Sequence, residues 1–269
     1  MEAIQNKTTN KIVGIKNAGW VIICCFIIAI CIYNFLLGNP ANFMNNDPNN
    51  HPLPGNFLGT IYKGGIVVPI IQTLLLTVIA LSIERYFAIR SAFGKGSLVK
   101  FVANIKSALA TGDMKKAQEL CDKQGGSVAN VVTSTLKKYA EVENDETLSK
   151  DQKVLAIQKE LEEATALELP MMEQNLPIIG TITTLGTLMG LLGTVTGMIG
   201  SFSILDSGAG ASAITGGVGE ALIATASGLC VAIMAFIVYT IFSHRLDSII
   251  NQIENMCVNI VTAKREGWK

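Results

Sequence analysis

Charge is scarce in this 269-residue chain, where Asp, Glu, Lys and Arg together make up 16% of the residues. Between 176 and 244 there is no Lys or Arg, and the acids are Asp206 and Glu220 alone. Histidine is scarcer still: His51 and His244 lie far apart, and the six cysteines (Cys24, Cys25, Cys31, Cys121, Cys230, Cys257) form no CxxC pair. That spacing argues against a disulfide framework and against a zinc or other metal site. Four of the cysteines sit in apolar runs, where a free thiol behaves as a small hydrophobe. There is no glycine-rich phosphate loop and no nucleophile elbow, so an enzyme is the least expected class and no cofactor is implied. Formal net charge is zero and no basic cluster is interleaved with aromatics, which speaks against nucleic acid as a partner.

What the chain has instead is apolar length. Hydrophobic residues are 49% of the composition and mean hydropathy is +0.42, the profile of a helical integral membrane protein. Four runs, 20–37, 66–83, 176–205 and 217–242, are long enough to cross about 30 Å of hydrocarbon. The first, WVIICCFIIAICIYNFLL, is longer than the core of a secretory signal and ends without a small-x-small site, so a retained span is expected. Residues 38–65 are rich in Asn, Pro and Gly and read as a loop rather than a packed domain. In the second run Pro69 falls in the first turn, where a missing N–H costs least, and the run stops at Glu84-Arg85.

From 84 to 175 the composition becomes that of a soluble helical region. Helices are expected over 101–109 and 114–120, with Asp113 capping the second, then over 128–139 after Gly125-Gly126. An acidic loop is expected over 141–151. Residues 152–173 form an amphipathic helix with the pair Lys159/Glu163, running straight into the third span with an adjustment at Pro170 and Pro177. The tail 244–269 continues the fourth span as an amphipathic helix. Lys and Arg number 3 in 1–19, 1 (Lys63) in 38–65, 13 in 84–175 and 4 in 244–269, which accounts for all 21. The positive-inside rule then makes the N-terminus, the 84–175 region and the tail cytoplasmic, and 38–65 periplasmic.

Glu220 is the chemical focus. A carboxyl set into a span is costly and marks a functional site by default; the bland alternative is a carboxylate about one turn into the span that snorkels to the surface. In the third span Gly186, Gly190, Gly193, Gly197 and Gly200 fall within about 80° of arc, a nearly bare face of the kind that lets helices approach closely. Thr183, Thr187 and Thr194 form a stripe beside it. Taken singly, each threonine is expected to bond back to its own helix; three of them aligned near a lone Glu point to a polar conduit. On the fourth span Glu220 and Thr225 flank a strip of Ala and Gly.

The strings GLLGTVTGM (190–198) and GEALIATASGL (219–229), the Leu-Pro before them and Ile83-Glu84-Arg85 after a span resemble the MotA/TolQ/ExbB proton-channel family, in particular its ExbB/TolQ branch. The likeness covers roughly 60–250. It implies an all-α membrane protein: three family spans with cytoplasmic helical extensions, to which 20–37 adds a fourth, N-terminal span, and a pair of pore-forming helices over 176–243. It implies a homopentamer in the bacterial inner membrane around a dimer of a single-span ExbD/TolR-type partner, driven by proton-motive force and energising a TonB-type protein for transport across the outer membrane. By motif, Glu220 matches the family's pore Glu, Thr225 the threonine of EALxAT and Thr194 that of GTV. A TolQ-like envelope-maintenance or gliding/secretion stator is the alternative within the family. A non-conducting scaffold is the alternative outside it. A secondary transporter is disfavoured, because no internal repeat is visible.

Overall fold

A computed structural model of the chain describes residues 17–143, 145–206 and 211–265. Among these residues all the repeating structure is helical. In chain order the helices are α1 (Ala18–Cys31), continued in π geometry through Ile32–Leu37, α2 (Phe57–Tyr62), α3 (Val67–Phe93), α4 (Leu98–Ala110), α5 (Met114–Gln124), α6 (Gly126–Glu143), α7 (Lys150–Glu173), α8 (Leu176–Asp206) and α9 (Ala211–Arg265). Four stretches are long and apolar enough to cross a membrane: Ala18–Leu37, Val67–Leu109, Leu176–Ser203 and Gly217–Asn255. The chain is therefore an all-α, multi-pass membrane protein. The lysines of 1–16 and the end of the tail, 266–269, lie outside the described residues.

The contacts divide the chain into two compact units. The first holds Glu84–Gln174 and the described tail from Phe242. The second holds the described residues up to Ile83 together with Asn175–Ile241.

In the first unit the apolar run of α3 ends at Glu84-Arg85, as its composition indicates, but the helix itself continues to Phe93. The charges are tolerated because they are satisfied. Arg85 is 0% exposed, its Nε donates to Glu84 Oε2 at 2.6 Å, a second guanidinium nitrogen bridges Glu84 Oε1, and the third donates to the Met172 carbonyl at 3.2 Å. Past α3, Gly94 takes φ +79°, which an L side chain rarely adopts, and a Cβ there would collide with the Gly125 carbonyl oxygen. Gln124 donates through Nε2 to Phe93 O at 2.8 Å, and Lys95 N–H donates to Gln124 O at 2.8 Å.

Asp113 caps α5 by accepting from Lys116 N–H at 3.0 Å, and Ser149 with Gln152 forms a capping box that opens α7. Tyr139, Val142 and Ile157 form the core joining α6 to α7. The exposed Lys159/Glu163 pair, 3.7 Å apart, adds little. α7 does not run straight into α8. It ends at Glu173, and Asn175 adopts φ +64°. Asn is one of the few non-glycine residues that enters the left-handed region readily, so Asn175 can turn the chain between the two helices.

The second unit is built around one apolar core to which α1, α3, α8 and α9 all contribute: Ala18, Val67, Ile71, Val78, Leu81, Ile179, Ile182, Val231 and Ala235. The extra N-terminal span thus packs on its own chain. The 38–65 segment, expected as a plain loop, is folded. Asn42 and Phe43 are buried, Asn42 Nδ2 donates to the carbonyls of Leu36 and Leu37 at 2.9 and 3.0 Å, and Asn56 donates to Asn42 Oδ1 at 3.1 Å while capping α2. Its asparagines replace the ladder bonds that a helix or sheet would supply, which is why composition alone reads as a loop.

Candidate functional site

α8 and α9 lie antiparallel, and from Gly186 to Ser201 small residues meet across the seam. Gly186 faces Gly228 and Ala232, Gly190 faces Thr225 and Gly228, Gly193 faces Ala224, Gly197 faces Ala221, and Ser201 faces Gly217. The room is slight. A Cβ on Gly186 would lie 3.0 Å from Gly228 O, one on Gly197 2.6 Å from Ala221 Cβ, and one on Gly193 would overlap Ala224 Cβ. Gly200, on the same stripe, meets nothing within 4 Å. Such a backbone-to-backbone seam suits a membrane, where close packing takes the place of a hydrophobic drive between helices.

The hydroxyls divide. Thr225 Oγ1 donates across the seam to Gly190 O at 2.8 Å, the carbonyl that in helix geometry also accepts the Thr194 N–H. Thr194 Oγ1 donates to Leu191 O at 2.6 Å and Thr187 Oγ1 to Thr183 O at 3.3 Å, both within α8. Among the described residues Thr183 Oγ1 is buried with no hydrogen-bond partner, as are Thr77 Oγ1 and Gln72 Oε1 on α3. Within this single chain, then, Thr225 links the two helices, Thr187 and Thr194 cap their own carbonyls, and Thr183 holds an unused donor.

Glu220 stands on α9 between Gly217 and Ala221, and the seam register sets it level with the Gly197–Ser201 turn of α8. It is half-buried, and among the described residues its carboxyl makes no hydrogen bond. It does have counter-charges, which the sequence reading did not supply. Lys63 and His51, both from the 38–65 segment, act on it electrostatically, and Tyr33 of the first span lies within the same reach. A clue existed: Lys63 is the only Lys or Arg between 38 and 65. No group of three or more His, Cys, Asp or Glu that could hold a metal occurs among the described residues. Local order therefore places the Glu220 carboxyl beside a tightly packed, hydroxyl-bearing helix pair.

Residues 127–255 match the model of the MotA/TolQ/ExbB proton channel family. Over 185 residues the chain is 34% identical to a putative biopolymer transport protein ExbB-like 3 of Synechocystis, which covers 66% of this chain and 81% of that protein. It is 27% identical over 192 residues to the Tol-Pal system protein TolQ of Pseudomonas aeruginosa, covering 68% and 82% of the two chains. It is also 24% identical over 207 residues to a putative ExbB homologue of Methanothermobacter thermautotrophicus, covering 74% and 68%.

Proposed function

Because this chain belongs to the MotA/TolQ/ExbB proton channel family, we propose that it is the ExbB-like subunit of a proton-motive-force-driven motor in the bacterial inner membrane, with both termini cytoplasmic. In this reading copies of the chain, five by family resemblance, surround a single-span ExbD/TolR-type partner, and the assembly energises a TonB-type protein. Glu220 is the group that gains and loses the proton. Thr225, Thr194, Thr187 and Thr183 supply hydroxyls along the route, and Gly186, Gly190, Gly193 and Gly197 keep α8 and α9 close enough to share it. Gly200, whose face is open in one chain, is free to pack against another.

The observation that carries the proposal is the half-buried Glu220 carboxyl on a seam of small residues with a threonine bonded across it. A membrane potential supplies about 2.3 kcal/mol per charge per 100 mV to a proton moving along such a path. The test is Glu220→Gln, coexpressed with the single-span partner. Assembly and expression are expected to stay within about twofold while proton flux and energised uptake fall at least tenfold, roughly 1.4 kcal/mol or more on the rate. A Glu220→Gln assembly that still drives uptake would make the protein a passive scaffold. The similarity to TolQ over most of that protein's length keeps a TolA-type client as the second reading. Complementation separates the two: restored growth on chelated iron favours the TonB client, and restored detergent resistance favours TolA.

A further inference from the structure

Charge is unevenly spread over the helices of the first unit. Among the described residues α4 packs on α5, α5 on α6 and α6 on α7, so α6 stands between the α4–α5 hairpin and α7. Residues 94–124, which hold the hairpin, carry six Lys against Asp113, Glu119 and Asp122. α6 carries Lys137 and Lys138 against Glu141 and Glu143, and α7 carries three Lys against six acids. Net charge therefore runs +3, 0 and −3 across the row, and the loop before α7 adds Asp145 and Glu146 to the acidic side. All six lysines of the hairpin are exposed. The pairs Lys138–Glu141 and Lys159–Glu163 are each closed within one helix and leave the separation as it is. Each outer flank also shows an apolar side chain among its charges. On α4 Val99 is 73% exposed, in line with Ala103 and Lys106 by helical spacing and with Lys100 next to it. On α7 Leu155 is 65% exposed, and the exposed Glu162 and Glu173 follow on the same line.

We propose that these two flanks dock on each other between copies of the chain: α7 of one copy lies against the α4–α5 hairpin of the next. Leu155 packs at Val99, and Glu162 and Glu173 meet Lys100 and Lys106. Bringing two like flanks together would set charge of one sign against itself, which disfavours a two-fold contact through either. Opposite flanks of opposite sign join head to tail instead, and head-to-tail contacts close into rings when the rotation allows. An apolar centre with a charged rim is ordinary interface anatomy. The rim charges set register and exclude wrong partners more than they add strength. A second copy is favoured over an anionic lipid surface because the chain carries the complement to its own basic hairpin, equal in size and opposite in sign. The proposal rests on the assembly of copies put forward above and names the surface that makes it; it does not depend on what Glu220 does.

The test is a spacer-free cross-link. The full-length protein in native membranes is treated with a water-soluble carbodiimide, which joins a lysine directly to a carboxylate, and the covalent dimer is mapped by mass spectrometry. Lys100 or Lys106 is expected to be joined to Glu162 or Glu173. Because α6 separates the two flanks within one chain, such a link is made between copies. The second arm reverses the charges. Lys100→Glu with Lys106→Glu is expected to lower the assembled fraction, read by native mass spectrometry, about tenfold, since like charges then face each other. Adding Glu162→Lys and Glu173→Lys to the same chain is expected to restore most of it, which a merely local role for the two lysines would not do. A covalent dimer without links between α4 and α7 overturns the proposal. So does full assembly of the doubly reversed variant, the result expected if the lysines serve a lipid surface, and so does a loss that the fourfold swap leaves in place. A wild-type protein that stays a single chain overturns this surface and the ring together, whereas a Glu220→Gln assembly that still drives uptake removes the motor reading alone.

Discussion

In the unit built from Glu84–Gln174, the Arg85 guanidinium is wholly withdrawn from solvent and spends its donors on Glu84 and on the Met172 carbonyl. In the other unit Glu220 is half-buried, and its carboxyl makes no hydrogen bond among the described residues. The first charge is fixed in one state by direct bonds, as a structural clamp requires. The second has no such bonds among the described residues, which suits the proton-carrying role proposed for it. The scaffolds differ in the same sense. α6 and α7 are joined by side chains such as Tyr139 and Ile157 and by Asn130 donating to Glu168 at 2.9 Å, whereas from Gly186 to Ser201 α8 meets α9 largely through bare backbone and alanine.

Four substitutions, at Arg85, Glu84, Gly197 and Gly200, would break or sharpen this contrast. The largest effect is expected at the clamp. Arg85→Met leaves the Glu84 carboxylate buried without its guanidinium and should cost about 3–5 kcal/mol. Thermal unfolding of the purified protein reads that loss, and the double change Glu84→Gln with Arg85→Met should recover most of it, since a buried pair is worth little against an apolar replacement. If the single change is neutral, the clamp is not what organises the unit. At the seam, Gly197→Val must displace Ala221, and a cost of about 1–3 kcal/mol is expected from overpacking. Gly200→Ala, with open space around it, should be neutral or gain up to about 1 kcal/mol in a lone chain. Melting curves of the two variants side by side test whether contact rather than glycine content sets the effect.

The smallest effect concerns Cys121. Burial, with a lesser push from Asp122 against a hydrogen bond with Thr133, raises its thiol from 9.0 to about 11. A group whose folded pKa is raised contributes stability below its unfolded value and loses it as pH climbs. The contribution should therefore be intact below about pH 9 and drain away between there and about pH 11. Cys121→Ala should flatten that part of the stability-versus-pH curve. At pH 8 the native thiol should alkylate about a hundredfold more slowly than the unfolded one, because so little of it is thiolate.

Particular residues show how far local reading reaches. The four apolar runs, Asp113 at its cap and the bare face formed by Gly186, Gly190, Gly193 and Gly197 all follow from spacing within a single helix, and each has its counterpart in the fold. The break at Asn175 did not. Pro170 drew attention to itself but is accommodated inside α7, while an unremarkable asparagine took the left-handed turn. The threonines were ambiguous by nature, since Thr194 and Thr225 differ only in whether a foreign carbonyl comes within reach.

Amino-acid order alone determined that this chain spans a membrane, which segments do so, which face of α8 is stripped of side chains and which acid stands out, because period and composition are properties of neighbours along the chain. Tertiary structure decided that the Asn-, Pro- and Gly-rich stretch between 38 and 65 folds, that Thr225 bonds to Gly190, and that Gly64 comes close to α9 at Ala224. Those pairings join residues far apart in sequence, and nothing in either partner's own surroundings announces the other. They exist only once the helices have packed.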